Sequence, residues 1–520
     1  MTGASIPKVV TEPLGGSPLA RLLASGGGSD WVTPVPHSLA GWRDRVRDAR
    51  ASSGAGAQLR ALAPALNASG AAADRIARVA AAGGVVVTTG QQAGLFGGPV
   101  YTWSKALSAL ALADEIERAC GVPTAPVFWA ATDDADLAEA SVTAIAVAGG
   151  AERLVMAPHP DTRAGAAMSV TPLGDVTREL RRLADAAGSA ALERPILAAQ
   201  SAYRPGATVG SAFVALLRQL LEPLGIAVLD AGHTAVREAM SDVTSRALSR
   251  AQEVSAALRT RTESLRAAGH EPQVADIDDL SLVFEWDAAG VKSRIPVGRA
   301  GAAIRLVADR RSPNVLLRPI AERAILPTVA YVAGPGELSY FAQVSAVAAT
   351  LDVAAPIAVP RWSCTIIEPK VQRLLDKYDV TPTALEDPHA AERRHAQRAM
   401  PATARTALET ARAQLADLDA RLRALAHAEP TLLDEQVAQG HTRRATSLVE
   451  RLERRVRAAV KRREDDAMRA IATARGSLSP FGARQERTLN FLPFHARHGD
   501  ALVDAMRAAA AEHARTIIDG

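Results

Sequence analysis

The sequence predicts an α/β fold in which crossover helices connect a parallel sheet, with inserted elements and a long antiparallel helical coiled-coil arm. Three observations predict it. Short apolar runs recur between helical stretches at residues 85–89, 125–129, 226–230, 331–333 and 357–359, the alternation expected of a parallel sheet. After residue 382 the composition shifts to Ala, Arg, Glu and Leu. There Leu408, Ala411, Leu415, Leu418, Leu422 and Leu425 are spaced by threes and fours, the period of a coiled-coil seam.

In chain order, residues 1–84 alternate Ala-rich helical patterns with Gly/Ser breaks such as 25–29, and are expected to wrap the core. Val85, Val86 and Val87 then begin a buried strand that runs into a glycine loop. Gly90, Gly94, Gly97 and Gly98 allow sharp turns and bring backbone N–H groups towards a guest, while Pro99 suits the first turn of the next helix. A helix N-terminus favours anions, and Gln91, Gln92, Tyr101, Thr102 and Lys105 add side-chain donors. Lys105 stands out because the chain has six lysines beside 54 arginines. An ordinary strand-to-helix turn with glycine chosen for sterics explains the same loop. The spacing matches neither a P-loop nor a dinucleotide fingerprint.

The second apolar run breaks into Asp133, Asp134 and Asp136 at the carboxyl end of its strand, where open α/β sheets bind ligands. Such carboxylates suit an amine, sugar hydroxyls or Mg²⁺, and equally well cap a helix. Residues 280–297 read as a β-hairpin turning at 287–290. Asn314 and Arg318 sit in SPNVLLRP (312–319), and Arg318, ahead of Pro319, suits bidentate capture of a carboxylate, with a structural salt bridge as the rival. Gly334, Gly336 and Glu337 form another strand-end loop, to which Tyr340 adds a hydroxyl, and Arg361 follows Pro360 at the start of another strand.

The seam from Leu408 to Leu425, a break at 427–430 and a second apolar face of Leu448, Leu452, Val456 and Val460 make the two-helix arm. Dimerisation and folding of the arm on itself predict the same pattern. The basic run 451–463 lacks aromatic residues for base stacking and reads as a solvated charged face, so nucleic acid is not an expected partner. Residues 478–498 hold three phenylalanines and two prolines, which implies docking back on the core.

TGQQAGLFGGPVYTWSK, PVFWAATDDADLAE, SPNVLLRP, YVAGPGELSY, Pro360 with Arg361, and QER (485–487) occur in an order that resembles the bacillithiol biosynthesis cysteine-adding enzymes. The resemblance spans about residues 85–499. It implies a Rossmann-like core, a coiled-coil arm used for homodimerisation, and a ligase that joins the carboxyl group of cysteine to the amine of glucosaminyl malate. The patterning along the chain divides it into an N-terminal helical wrap at 1–84, a core at 85–382, the arm at 383–476 and a segment docking back on the core at 477–520. On the family reading Lys105, Asp134 and Asp136 are the catalytic candidates. Gly90, Gln91, Gln92, Tyr101, Ser104, Asn314, Arg318, Gly334, Gly336, Glu337, Tyr340 and Arg361 are candidates for binding substrate. Arg484 and Arg487 face a nucleotide or else brace the base of the arm. Amide formation from a free carboxylate needs activation, so ATP is a possible co-substrate. Two positions depart from the family pattern, Ser104 and Ala135, where histidine is usual. A catalytically degenerate ligand-binding or scaffold homologue, or a ligase for a different amine, therefore stands beside the first reading.

The bulk properties fit a cytoplasmic bacterial enzyme. The 520 residues carry a formal net charge of +4, too slight to signal a nucleic-acid partner. Cys120 and Cys364 are isolated thiols, which suits a reducing compartment, and no metal-ligand spacing occurs. The N-terminal segment has no leader pattern and no apolar run reaches membrane-spanning length, so no membrane association is expected.

Overall fold

The computed structural model describes residues 6–51, 54–275, 279–387 and 389–520. The first five residues of the segment read as lacking a leader lie outside the described residues. Two compact units emerge: residues 1–145, 152–367 and 485–520 form the first, and residues 146–151 with 368–484 the second.

The first unit is organised by β1 (Val85–Gln92), α1 (Val100–Cys120), β2 (Thr124–Ala131), α2 (Val209–Leu221), β3 (Ala227–Asp230), α3 (Arg318–Ile325), β4 (Thr328–Ala333), α4 (Pro335–Thr350) and β5 (Ala358–Pro360). All five strands are parallel, in the order β5-β4-β1-β2-β3. These are the five apolar runs picked out in the sequence. Their β-branched and aromatic residues are buried, as a parallel sheet covered on both faces requires, and β4 is buried along its whole length. Strand order reverses between β1 and β4, the place where open α/β sheets receive ligands.

Helix α1 follows β1 and is buried from Val100 to Ala113 at all but one position, since small Ala and Ser residues alternate with Leu. It ends at Gly121, whose left-handed φ of 68° returns an N–H to Glu117 O. Residues before β1 belong to the same compact unit, and Arg45 reaches from helix Leu39–Ala51 to donate to Val329 O of β4. The expected hairpin forms from Leu280–Trp286 and Lys292–Pro296, joined by a third strand, Arg311–Pro313. Two strand pairs were not anticipated: Val142–Val147 with Gly150–Val155, and Lys8–Thr11 with Cys364–Ile367. In the second unit α5 (Ala402–Ala428) packs against α6 (Glu435–Arg463). Glu453 of α6 is buried and held by Arg412 of α5 and by Arg457 one turn on. Leu408 and Val460 are buried in this helix pair, whereas Leu418, Leu425, Leu448 and Leu452 are exposed. The chain then contributes α7 (Gln485–Thr488) and α8 (Leu492–Asp519) to the first unit. No described helix is long and apolar enough to cross a membrane.

Candidate functional site

Gly90 lies within β1 rather than in the loop after it. A Cβ there would meet Trp129 O at 2.8 Å and Trp129 Cβ at 2.9 Å, so close approach of β2 explains the glycine. Its contribution to the site is a carbonyl, which accepts a hydrogen bond from Lys105 Nζ at 2.7 Å. The turn itself falls at Phe96, Gly97 and Gly98, all with left-handed φ. Asn490 holds it from below. Its Nδ2 donates to Phe96 O at 3.0 Å and lies 3.3 Å from Gly98 O and 3.2 Å from Thr143 Oγ1. Nothing in the spacing of the sequence linked Asn490 to this loop.

At the reversal of strand order, Lys105 of α1 meets Glu337 of α4 at 2.5 Å. Its other contacts are Gly90 O and, at 3.1 Å, Gln91 Oε1. An ammonium has three protons, so these three acceptors occupy it. Expected to reach a substrate, Lys105 is instead buried and fixes the end of β1 against α4. Burial pushes its pKa down against the pull of Glu337. Burial would raise the pKa of Glu337, but Lys105 and Arg318 outweigh it and hold the carboxyl below its ordinary range. Glu337 also accepts from Gly334 N at 2.7 Å and from Tyr331 OH at 2.5 Å.

Arg318 starts α3 and donates to Tyr340 OH at 3.0 Å and Tyr331 OH at 3.3 Å, with Glu337 4.0 Å away and Glu322 3.6 Å away. Burial pushes the Glu322 carboxyl up to about 7. Thus the sheet's ligand end rests on a polar network, Lys105–Glu337–Tyr331–Arg318–Tyr340, drawn from segments more than 200 residues apart.

Beside this network opens a cleft of about 320 Å³, lined by Gln91, Gln92, Tyr101, Glu139, Arg153 and Arg487 among others. Its size falls at the lower end of small-molecule pockets. Tyr101 OH accepts from Gln91 Nε2 at 2.9 Å, and Gln92 Nε2 donates to Asp134 Oδ2 at 2.9 Å, so both amides are oriented from behind. Asp134 also accepts from Asp136 N, and Asp136 caps the short helix Leu137–Ala140 by accepting from Glu139 N at 3.0 Å. These two carboxylates therefore shape the rim on which Glu139 stands. Burial, reinforced by Asp136 and Asp134, raises the Glu139 pKa. Glu139 and Arg153 were missed in the sequence because neither belongs to a glycine loop or an acidic run.

The remaining candidates occupy other places. Asn314 is buried and its Oδ1 accepts from Leu316 N and Leu317 N, an Asx turn leading into α3. Arg361 forms a buried bidentate pair with Glu486 at 2.7 and 2.8 Å and donates to Ser104 Oγ at 3.2 Å. Ser104 is itself fully buried, and Gln485 pairs with the backbone of Ile366. Gly336 is exposed in the first turn of α4. Arg487 reaches the cleft, while Arg484 falls in the second compact unit.

A parallel sheet with this strand order, a cleft beside its reversal point and a separate two-helix arm define a Rossmann-like protein with a coiled-coil domain. Residues 36–288 and 302–362 match the model of the bacillithiol biosynthesis BshC N-terminal Rossmann-like domain, and residues 364–516 match that of the BshC C-terminal coiled-coil domain. The chain belongs to the BshC family. It is 32% identical over 457 residues to "Putative cysteine ligase BshC" of Solibacter usitatus, with 82% of each chain covered. The protein of that name from Koribacter versatilis is 33% identical, again over 82% of each chain. The one from Geobacillus kaustophilus is 29% identical over 82% of each.

Proposed function

We propose that the protein is a cysteine ligase that forms an amide between the carboxyl group of cysteine and the amine of glucosaminyl malate. The observation that carries this reading is membership of the BshC family along nearly the whole chain, together with a polar cleft at the ligand end of the sheet. Gln91, Gln92 and Tyr101 are the groups that meet substrate, Asp134 orients Gln92, and Lys105 positions the end of β1. Joining a carboxylate to an amine requires a carboxyl oxygen to leave, and ATP is the proposed acceptor of that oxygen. The amine nitrogen then bonds to the carbonyl carbon and gives up a proton. The exposed leucines of the arm favour a homodimer.

Incubation of the purified chain with cysteine, glucosaminyl malate and ATP, followed by mass spectrometry, tests the activity. A cysteinyl product is expected. Absence of product while a histidine-bearing relative is active in parallel overturns the reading. One observation favours a second reading, a catalytically degenerate binding homologue: Ser104, which departs from the family pattern of histidine, is fully buried and accepts a hydrogen bond from Arg361. Activity gained only by Ser104→His with Ala135→His supports that alternative.

A further inference from the structure

The two charge types on the cleft wall, Glu139 for one and Arg153 with Arg487 for the other, come from separate stretches of the sequence. Among the described residues, Glu139 has no ion-pair partner within 4 Å, and neither has Arg487. Glu139 stands on the rim with Asp134 and Asp136; burial first, and then those two carboxylates, make its ionisation harder, against the weaker pull of Lys105 and Arg487. A bound cation relieves that repulsion. Arg487 comes from α7 and Arg153 from the strand Gly150–Val155, and both line the same cleft. Guanidinium groups suit carboxylates in planar, two-point contact. Gln91 and Gln92 line the same cleft with amides oriented by Tyr101 and Asp134, and such amides suit hydroxyl groups.

We infer that this cleft takes a ligand that is cationic at one end and carboxylate-bearing at the other, with Glu139 receiving its ammonium group and Arg487, aided by Arg153, receiving its carboxylate. This rests on the cleft being the substrate site proposed above, and it assigns the amine-bearing substrate to it in a defined orientation. Arg318, first expected to capture that carboxylate, is engaged by Tyr331, Tyr340 and Glu337 behind the cleft. Glu139, Arg153 and Arg487 thereby become the residues that determine specificity.

Calorimetric titration of the full chain with glucosaminyl malate and with its N-acetyl form separates the two ends. The parent is expected to prefer the free amine by about tenfold or more, the effect of one charge-assisted contact. Glu139→Gln abolishes that preference. Arg487→Ala weakens both forms by about tenfold and leaves the preference intact, while Arg487→Lys recovers part of the loss. Thermal melts confirm that each variant is folded. Failure of the parent to bind either form, a preference that survives Glu139→Gln, or unchanged binding in Arg487→Ala overturns the inference. Product formation is scored separately. Product without this charge dependence overturns the inference alone, and the charge dependence without product overturns the ligase reading alone.

Discussion

Lys105 Nζ lies 2.5 Å from Glu337 Oε2, and this contact joins α1 to α4 across the point where the strand order of the sheet reverses. Breaking a buried pair from one side leaves a charge without compensation, which costs about 3–5 kcal/mol. Glu337→Gln and Lys105→Met are each expected to destabilise the protein on that scale. The double variant should lose clearly less than the sum. Urea denaturation of the four proteins checks this, and additive losses would show that the pair does not act as a unit. Arg318 reaches the same carboxylate at 4.0 Å, so its replacement should also couple to that of Lys105, through Glu337.

Glu322 gives the stability of the first unit a pH dependence. Burial raises its pKa from an ordinary 4.5 to about 7, so between those values the folded chain holds a proton that the unfolded chain has released. The associated stability is fully present below about pH 4.5 and is lost as pH rises towards 7, at up to about 1.4 kcal/mol per pH unit. Glu322→Gln, neutral at every pH, should flatten this slope. Chemical denaturation at pH 5.5 and pH 8 measures the difference between parent and variant. An equal slope in both would place the titrating group elsewhere.

The strands were legible because β-branched runs between helices carry a strong local signal, and all five entered one sheet. The glycine loop was legible as a turn between strand and helix, though Gly90 belongs to the strand, where its missing side chain makes room for Trp129. What the sequence left hidden is pairing over distance. Neither Lys105 with Glu337 nor Arg361 with Glu486 shares a local pattern, and a charged residue in one segment does not reveal which opposite charge will face it. Arg318 shows the consequence: an arginine suited to a substrate carboxylate is occupied by two tyrosines and a glutamate that fold in around it.

The arm presents a separate test. Leu418 and Leu425 were read as part of the seam of the first arm helix, and Leu448 and Leu452 as part of the apolar face of the second, yet all four stay exposed while Leu408 and Val460 are buried. If these leucines pack against a second copy, Leu418→Asp with Leu425→Asp should convert a dimer to a monomer, because buried unpaired carboxylates oppose association. The arm should remain helical. Light scattering with circular dichroism reports both properties. A parent of monomeric mass, or a variant whose mass is unchanged, would contradict dimerisation through this face.

Asn490 offers a way to disturb the cleft without touching its lining. Its amide contacts the carbonyls of Phe96 and Gly98 and the hydroxyl of Thr143, and its Oδ1 accepts from Leu492 N at 2.9 Å. Phe96, a non-glycine residue at φ 53°, is held in a conformation that costs energy unless its surroundings enforce it. Asn490→Ala removes the donor and leaves buried carbonyls unpaired, a loss of about 1–3 kcal/mol. Asn490→Asp should be no better, since a carboxylate cannot donate to those carbonyls. The loop between β1 and α1 should then open more often, and hydrogen exchange at residues 94–98 should quicken while the amides of β2 stay protected. Substrate binding should weaken even though Asn490 does not line the cleft, because Gln91 and Gln92 lead directly into the loosened turn. Unchanged exchange at residues 94–98 in a folded Asn490→Ala protein would mean that the turn is held by its own backbone and not by this amide.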